Sequence, residues 1–507
     1  MKNIFRLISV VILEIALIAG CELDLAPYDS LTVESLSQSE QGIENLANGC
    51  LMMMKENLSY SQGQEPDPRD RYVRHLNQLT EFPSDDVMIV KSTTDNLWYS
   101  FNMQHIPGQL NTTYLWFVGY KIILNANNII EAVEVTESTS AKVRQLLGEA
   151  YYYRAMVHFD LARIFSTPPS HGLDKPGIII RTGTSEEDNK ARATVGDTYN
   201  QIISDLKKAA DLMTTRVSNS SEAMKYGSKW SALALLSRAY LYMEEWDSAV
   251  SYANKVIDDG PFELETRENY VNSFWNATQS SEAIFIFYFT PEEEHGEASI
   301  GSMYNAGPTG TEGWGEVFPS KPFMEMLATY RHDVRNGLID TVFKEDGTIK
   351  NYPNTPYQTF YINKFSNQDG IVPLGSPQYI RLSELYLNRA EALAHMGGRD
   401  DDALDDVNII RQRAGLSGDE LVTTGNLASH GYASVLDAVL GERRLELAFE
   451  GLRRDDLLRN KIDLDRSFPS AQNPTNGTDI LPWDAPRQIY FIPVAEIINN
   501  SSCDQNP

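Results

Sequence analysis

The chain has 507 residues, 42% of them hydrophobic, and a formal charge of −27. That length holds about three average domains, yet no Ser/Gly-rich or Pro-rich linker divides it, so it reads as one large unit with long insertions. So acidic a surface repels nucleic acid and anionic lipid head groups and leaves neutral or cationic ligands open. The three cysteines, Cys21, Cys50 and Cys503, have neither metal-ligand nor CxxC spacing, which argues against a zinc site or a dithiol centre.

The first element is a leader. Lys2 and Arg6 precede an apolar run from Leu7 to Ala19, and Ile18-Ala19-Gly20 leads into Cys21. This is the order of a bacterial lipoprotein signal: a cationic start, a short hydrophobic stretch, small residues before the cut, and a cysteine that receives lipid. A membrane-spanning anchor fits poorly, because roughly 20 uninterrupted apolar residues are needed and Glu14 interrupts this run. The expectation is removal of residues 1–20 and lipidation of Cys21, with loss of Lys2, Arg6 and Glu14 moving the charge from −27 to −28. Cys50 and Cys503 then face an oxidising compartment, and spacing leaves their pairing open.

Helical segments follow. Leucine and alanine at helical period predict hairpins over 39–56 with 115–135, 141–166 with 198–213, 229–261, and 379–415. In the third, Ser237, Ala249 and Pro261 are equally spaced, with Tyr240 between the first two. Small residues there let two helices approach, an aromatic fills the groove, and proline ends the unit, as in tetratricopeptide repeats. The expected fold is therefore mainly α, a solenoid of tetratricopeptide-like hairpins, with an ordinary helical bundle as the alternative. Residues 57–113 and 262–378 contain long stretches rich in Gly, Pro, Asn and aromatics with little helical periodicity. They are expected to be irregular insertions carrying the ligand surface.

No GxSxG elbow, HExxH, phosphate loop or dinucleotide fingerprint occurs. Neither cofactor nor metal is expected, and no residue is assigned a catalytic role. Acidic runs at Asp85-Asp86, Glu292-Glu293-Glu294 and Asp400 to Asp406 read as solvated faces rather than a glycosidase carboxylate pair. In ERRLELAFEGLRRDDLLR, residues 442–459, acids and arginines alternate in a way that predicts ion pairs along one helix.

Sugar recognition needs flat apolar faces and forked polar groups. Trp116 and Trp230 lie in predicted helices and read as core, and Trp246, Trp275 and Trp483 as structural. Two segments off the helical stripes combine both chemistries. One holds Asp95, Asn96, Trp98, Tyr99 and Asn102, and the other holds Tyr304, Asn305 and Trp314. Either set could instead pin its loop to the scaffold.

Several segments together carry a family resemblance: the lipobox cysteine, AYYYRAMVHFDLARIFS at 150–166, GWGEVFPSKPFMEML at 313–327, YIRLSELYLNRAEALAHMG at 379–397, the segment at 442–459, and the tail IPVAEIINNSSCDQNP. In this order, from Cys21 to Pro507, they resemble the SusD/RagB family of outer-membrane nutrient-binding lipoproteins. The resemblance implies a non-enzymatic glycan-capturing protein, lipid-anchored at Cys21 on the outer face of the outer membrane. Its implied partner is a SusC-like TonB-dependent transporter facing the tetratricopeptide side. Other nutrients such as peptides, a protein scaffold without small ligand, and a surface glycosidase are the alternatives.

Overall fold

The computed structural model describes residues 33–59, 67–91, 97–185, 189–214, 220–471 and 480–507. The leader and Cys21 lie outside them. Helices dominate, and several start where a side chain accepts an otherwise orphaned backbone N–H. Ser39 caps Glu40–Lys55, Ser140 caps Ala141–Phe165 and Thr194 caps Val195–Leu212. Ser228 and Ser231 form a reciprocal capping box at the start of Lys229–Tyr242.

The helices pack in a running series. Glu40–Lys55 lies against Leu110–Ala132, which lies against Ala141–Phe165, then Val195–Leu212, Lys229–Tyr242, Trp246–Asp259, Leu382–Met396 and Asp400–Ala414. The molecule is thus mainly α with tetratricopeptide-like architecture. In the third hairpin Ser237 and Ala249 are fully buried, and the Ser237 hydroxyl donates to the Ala249 carbonyl at 3.0 Å. Tyr240 stacks on Tyr252 with centroids 5.4 Å apart.

Three expectations need correction. Residues 57–113 are not wholly irregular, since Tyr72–Glu81 is a helix with every residue buried. Tyr72, Val73, Leu76 and Leu79 stand at helical spacing, so the signal was present, but it is short and set among polar residues. Asp85 and Asp86 are not solvated. Both are buried, with Arg453 on Asp85 at 2.7 Å and Arg444 on Asp86 at 2.6 Å. The 442–459 segment is not one helix but two, Val435–Glu446 and Arg453–Arg459, broken where Phe449 and Gly451 take φ of +69° and +73°.

The charges of that segment consequently reach other elements. Glu446 meets Arg381 at 2.6 Å and Arg413 at 2.5 Å. Glu442 meets Arg335 at 2.6 Å and Arg411 at 3.0 Å, and Asp456 bridges Arg443 and Arg459. Asp400, Asp401 and Asp402 are exposed at a helix start, whereas Asp406 turns inward to Arg389 at 2.7 Å. Cys50 and Cys503 are both buried free thiols, and burial pushes Cys50 up to about 12 and Cys503 up to about 11.

Short antiparallel strand pairs occupy the insertions. Val87–Ile89 pairs with Val317–Pro319, Ala283–Ile286 with Gln378–Arg381, and Ile339–Thr341 with Phe360–Ile362. The first pair matters most for function, because it joins two segments more than 200 residues apart in sequence.

Candidate functional site

The register Val87↔Pro319, Met88↔Phe318, Ile89↔Val317 fixes which residues meet just beyond the strands. Val90 N–H donates to the Glu316 carbonyl at 3.0 Å, and the Lys91 ammonium lies 3.3 Å from the Glu316 carboxylate. The partner strand is entered through Trp314 and Gly315. The pairing therefore sets the Trp314 segment beside Val90 and Lys91.

Beneath them sits an apolar cluster of Met88, Val90, Ala306, Phe318, Tyr361 and Phe468, with Tyr352 and Tyr357 half-buried against it. Phe318 meets the rings of Tyr352 and Tyr361 edge to face, each at 5.8 Å. Trp314 is half-buried as well. Its amide donates to the Ser302 carbonyl at 2.7 Å, and its carbonyl accepts the Tyr352 hydroxyl at 3.0 Å. Gly315 follows at φ +52°, where a Cβ would stand 2.7 Å from the Tyr361 ring and 2.8 Å from Ala306. Only glycine permits this close turn without displacing the aromatic bed.

Trp314, Tyr352 and Tyr357 are thus each partly exposed, with Tyr352 close enough to Glu316 to feel its charge. Rings held by backbone contacts stack on an apolar ligand face at little entropic cost. Burial, with help from Glu316, raises the Tyr352 phenol above its ordinary value. It remains protonated at neutral pH, with its hydroxyl donated to the Trp314 carbonyl.

The other expected residues fall elsewhere. Tyr304 ends the helix Ile300–Tyr304, is fully buried, and donates to Asn77 Oδ1 at 2.7 Å while packing on Phe82 and Phe365. Asn305 is buried too, donating to Asn363 Oδ1 at 2.7 Å and accepting from Gly307 N at 2.8 Å. Both anchor the loop, so in this arrangement neither offers a group to a ligand. Asn102 is half-buried, and its Oδ1 accepts from Gln104 N at 3.0 Å. Trp98 and Tyr99 fall within Leu97–Asn102, and Asp95 and Asn96 lie outside the described residues.

Sequence reasoning missed Tyr352 and Tyr357. They face each other across the turn YPNTPY, with Tyr352 N–H donating to the Tyr357 carbonyl at 2.9 Å. Two prolines between paired tyrosines were the available signal of a hairpin presenting aromatics. Among the described residues, no group of three or more His, Cys, Asp or Glu is positioned to hold a metal ion.

Comparison with known proteins bears on the family and the fold. Residues 23–241 match the family profile described as "Starch-binding associating with outer membrane", and residues 328–507 match that described as "SusD family". The chain belongs to the SusD/RagB family. Among SusD-like relatives, protein P2 of Formosa agariphila is 27% identical over 428 residues, covering 77% of this chain and 79% of that one. A SusD superfamily protein of Bacteroides thetaiotaomicron superposes with a TM-score of 0.78 at 26% identity, covering 92% of this chain and all of that one. A second, from Bacteroides vulgatus, gives 0.76 at 26% identity, over 92% and 99% of the two chains. No helix among the described residues of this SusD/RagB protein is long and apolar enough to cross a membrane.

Proposed function

We propose that this SusD/RagB protein is a cell-surface lipoprotein, anchored through Cys21 to the outer membrane, that captures glycan or oligosaccharide without cleaving it. It hands the ligand to a SusC-like TonB-dependent transporter docked on the helical side. The observation that supports this reading is the partly exposed set Trp314, Tyr352 and Tyr357 beside the strand pair Val87–Ile89 and Val317–Pro319. Trp98 and Tyr99 are proposed to extend that surface, with Asp95, Asn96 and Asn102 supplying polar contacts.

Two features favour capture over hydrolysis. Asp85 and Asp86 are occupied by arginines, and Glu316, beside the platform, is paired with Lys91. A glycosidase needs two carboxylates flanking the scissile bond. A shallow polar surface must also desolvate sugar hydroxyls for limited apolar gain, so affinity is expected at roughly micromolar to millimolar.

The test is calorimetric titration of the chain from Glu22 onward with a panel of polysaccharides, followed by chromatography of each mixture. Saturable heat with unchanged carbohydrate, weakened about tenfold or more by Trp314→Ala or Trp98→Ala, supports the reading. New shorter products would replace it with a surface glycosidase. Silence with glycans and heat with peptides would move it to peptide capture, and transporter association without any small ligand would leave a scaffold.

A further inference from the structure

On a different part of the molecule, the Leu110–Ala132 helix borders a cleft of about 560 Å³. Pockets that enclose small ligands span roughly 300–1,000 Å³. None of the platform residues Trp314, Tyr352 and Tyr357 lines it. Three walls build it. The helix contributes Trp116, Phe117 and Tyr120, the 179–185 strap contributes Arg181, and the C-terminal segment contributes Glu496 and Asn499.

Each wall is fixed before any ligand arrives. Tyr120 donates its hydroxyl to the Ile179 carbonyl at 2.7 Å, and Trp116 donates Nε1 to Glu496 at 3.1 Å. Asn127 Nδ2 donates to the carbonyls of Arg181 and Gly183, and Glu131 accepts from both the amide and the hydroxyl of Thr184. The C-terminal segment is tied down by Val494 N–H on the Pro107 carbonyl at 2.9 Å and by Asn506 on Phe165 and Tyr490. Such preorganisation reduces the ordering cost of binding.

The polar groups of the cleft are of mixed sign and partly uncommitted. The neighbouring Arg154, which also reaches the Thr182 carbonyl, is carboxylate-paired with Asp205 at 2.7 Å. The Arg181 guanidinium, by contrast, has no hydrogen-bond or ion-pair partner among the described residues. Lys121 lies over the Phe117 ring at 5.9 Å. Glu496, opposite, accepts from Trp116 and Asn500, and a carboxylate has lone pairs left for more. Cations facing a carboxylate suit a neutral ligand rich in hydroxyls better than an anion, and the half-buried faces of Phe117 and Tyr120 suit a ring with an apolar side.

We infer that this cleft is a second saccharide site, sized for one or two neutral sugar rings, with Phe117 and Tyr120 as the stacking wall and Arg181, Glu496 and Asn499 as the hydroxyl contacts. The inference rests on the glycan-capture reading above and deepens it: long chains settle on the open platform, and a short segment or chain end enters the cleft.

The experiment titrates the chain from Glu22 onward with maltoheptaose, cellohexaose, xylohexaose and galacturonate trisaccharide, alongside Arg181→Ala, Ala495→Trp and Trp314→Ala. Ala495 lines the cleft, so tryptophan there closes it. The expected result is binding of a neutral oligosaccharide at two sites, with Arg181→Ala weakening one about tenfold and Ala495→Trp removing it. Trp314→Ala should affect only the other. A single site lost with Trp314→Ala and indifferent to both cleft variants overturns the second site and leaves the capture reading standing. A single site lost only with the cleft variants upholds the cleft and overturns the platform assignment. Preference for the galacturonate overturns the neutral-ligand assignment. Silence with every oligosaccharide overturns the cleft proposal, while the platform is judged separately on whole polysaccharides with Trp314→Ala and the cleft variants side by side.

Discussion

The buried ionic lattice around Glu442, Glu446 and Asp456 and the aromatic platform around Trp314 use polar chemistry in opposite ways. In the lattice every charge is withdrawn from water and held by opposite charges on distant elements, as when Arg381 joins Glu446, Glu450 and Glu282. In the platform the rings are only half withdrawn, and their own polar atoms tie down the backbone beneath them, as Tyr352 does on Trp314. A buried charge demands complete pairing because desolvation is so costly. A surface that recognises sugar instead keeps capacity unspent. In 442–459 dense charge is therefore locked inside, whereas the equally dense run Asp400-Asp401-Asp402 stays exposed, so charge density alone does not tell the two apart.

The sharpest way to break that contrast is to remove one member of the lattice. Glu446→Leu leaves Arg381, Arg413 and Arg335 with an uncompensated buried positive charge. It should cost about 4 kcal/mol of stability in urea unfolding, since removing one partner of a buried ion pair is far worse than replacing both. A loss below about 1 kcal/mol would mean the lattice is better hydrated than the structure indicates.

A second, smaller effect lies at its edge. Glu81 is fully buried, accepts from Gly451 N at 2.8 Å, and is pushed from 4.5 to about 8 by burial and by the nearby Asp86 carboxylate. Its folded pKa exceeds its unfolded one, so its contribution is intact below about 4.5 and is lost as pH rises toward about 8. Glu81→Gln, which mimics the protonated form, should flatten the fall of stability across that window by up to about 1.4 kcal/mol per pH unit. An unchanged slope would place the titration elsewhere. At the acid end the sign reverses. Asp85 and Asp456 are held down to about 2, Asp85 by Arg453 and Arg444 and Asp456 by Arg443 and Arg459. Their contribution is present above about 4 and fades as pH falls through about 2.

The smallest effect belongs to the platform. Tyr352→Phe removes the hydroxyl that holds the Trp314 carbonyl. It should cost only about 1 kcal/mol in thermal unfolding, the usual net value of one hydrogen bond. Glycan affinity should nonetheless fall, because the Trp314 ring loses its fixed orientation. Unchanged affinity would show that Gly315 and the Ser302 contact alone position it.

Much of this was legible along the chain, and the parts that were not share one cause. Serine and threonine caps and leucine/alanine stripes are local signals, so the helical hairpins could be read directly, and the Ser237 and Ala249 spacing already contained their close approach. Tyr72–Glu81 carries Tyr72, Val73, Leu76 and Leu79 at helical spacing, but the stripe is short, and only the fold decides that the polar residues around it are buried as well. Asp85 and Arg453 are 368 positions apart, and no periodicity connects them, so Asp85 looked like a solvated charge and Arg453 like a partner for acids on its own helix. Tyr304 and Asn305 likewise look like ligand contacts in a glycine-rich stretch until the fold turns them toward Asn77 and Asn363.

By itself the sequence determined the helical periodicity, the acidic charge, the family pattern and the pool of aromatics available for binding, since these depend on composition and near-neighbour spacing. Only the tertiary structure decided which charges became internal locks and which aromatics kept an open face. It also decided that a cleft forms where the Leu110–Ala132 helix meets the C-terminal segment. Each of these outcomes depends on the burial and pairing of groups hundreds of residues apart, which exist only once the chain has closed on itself.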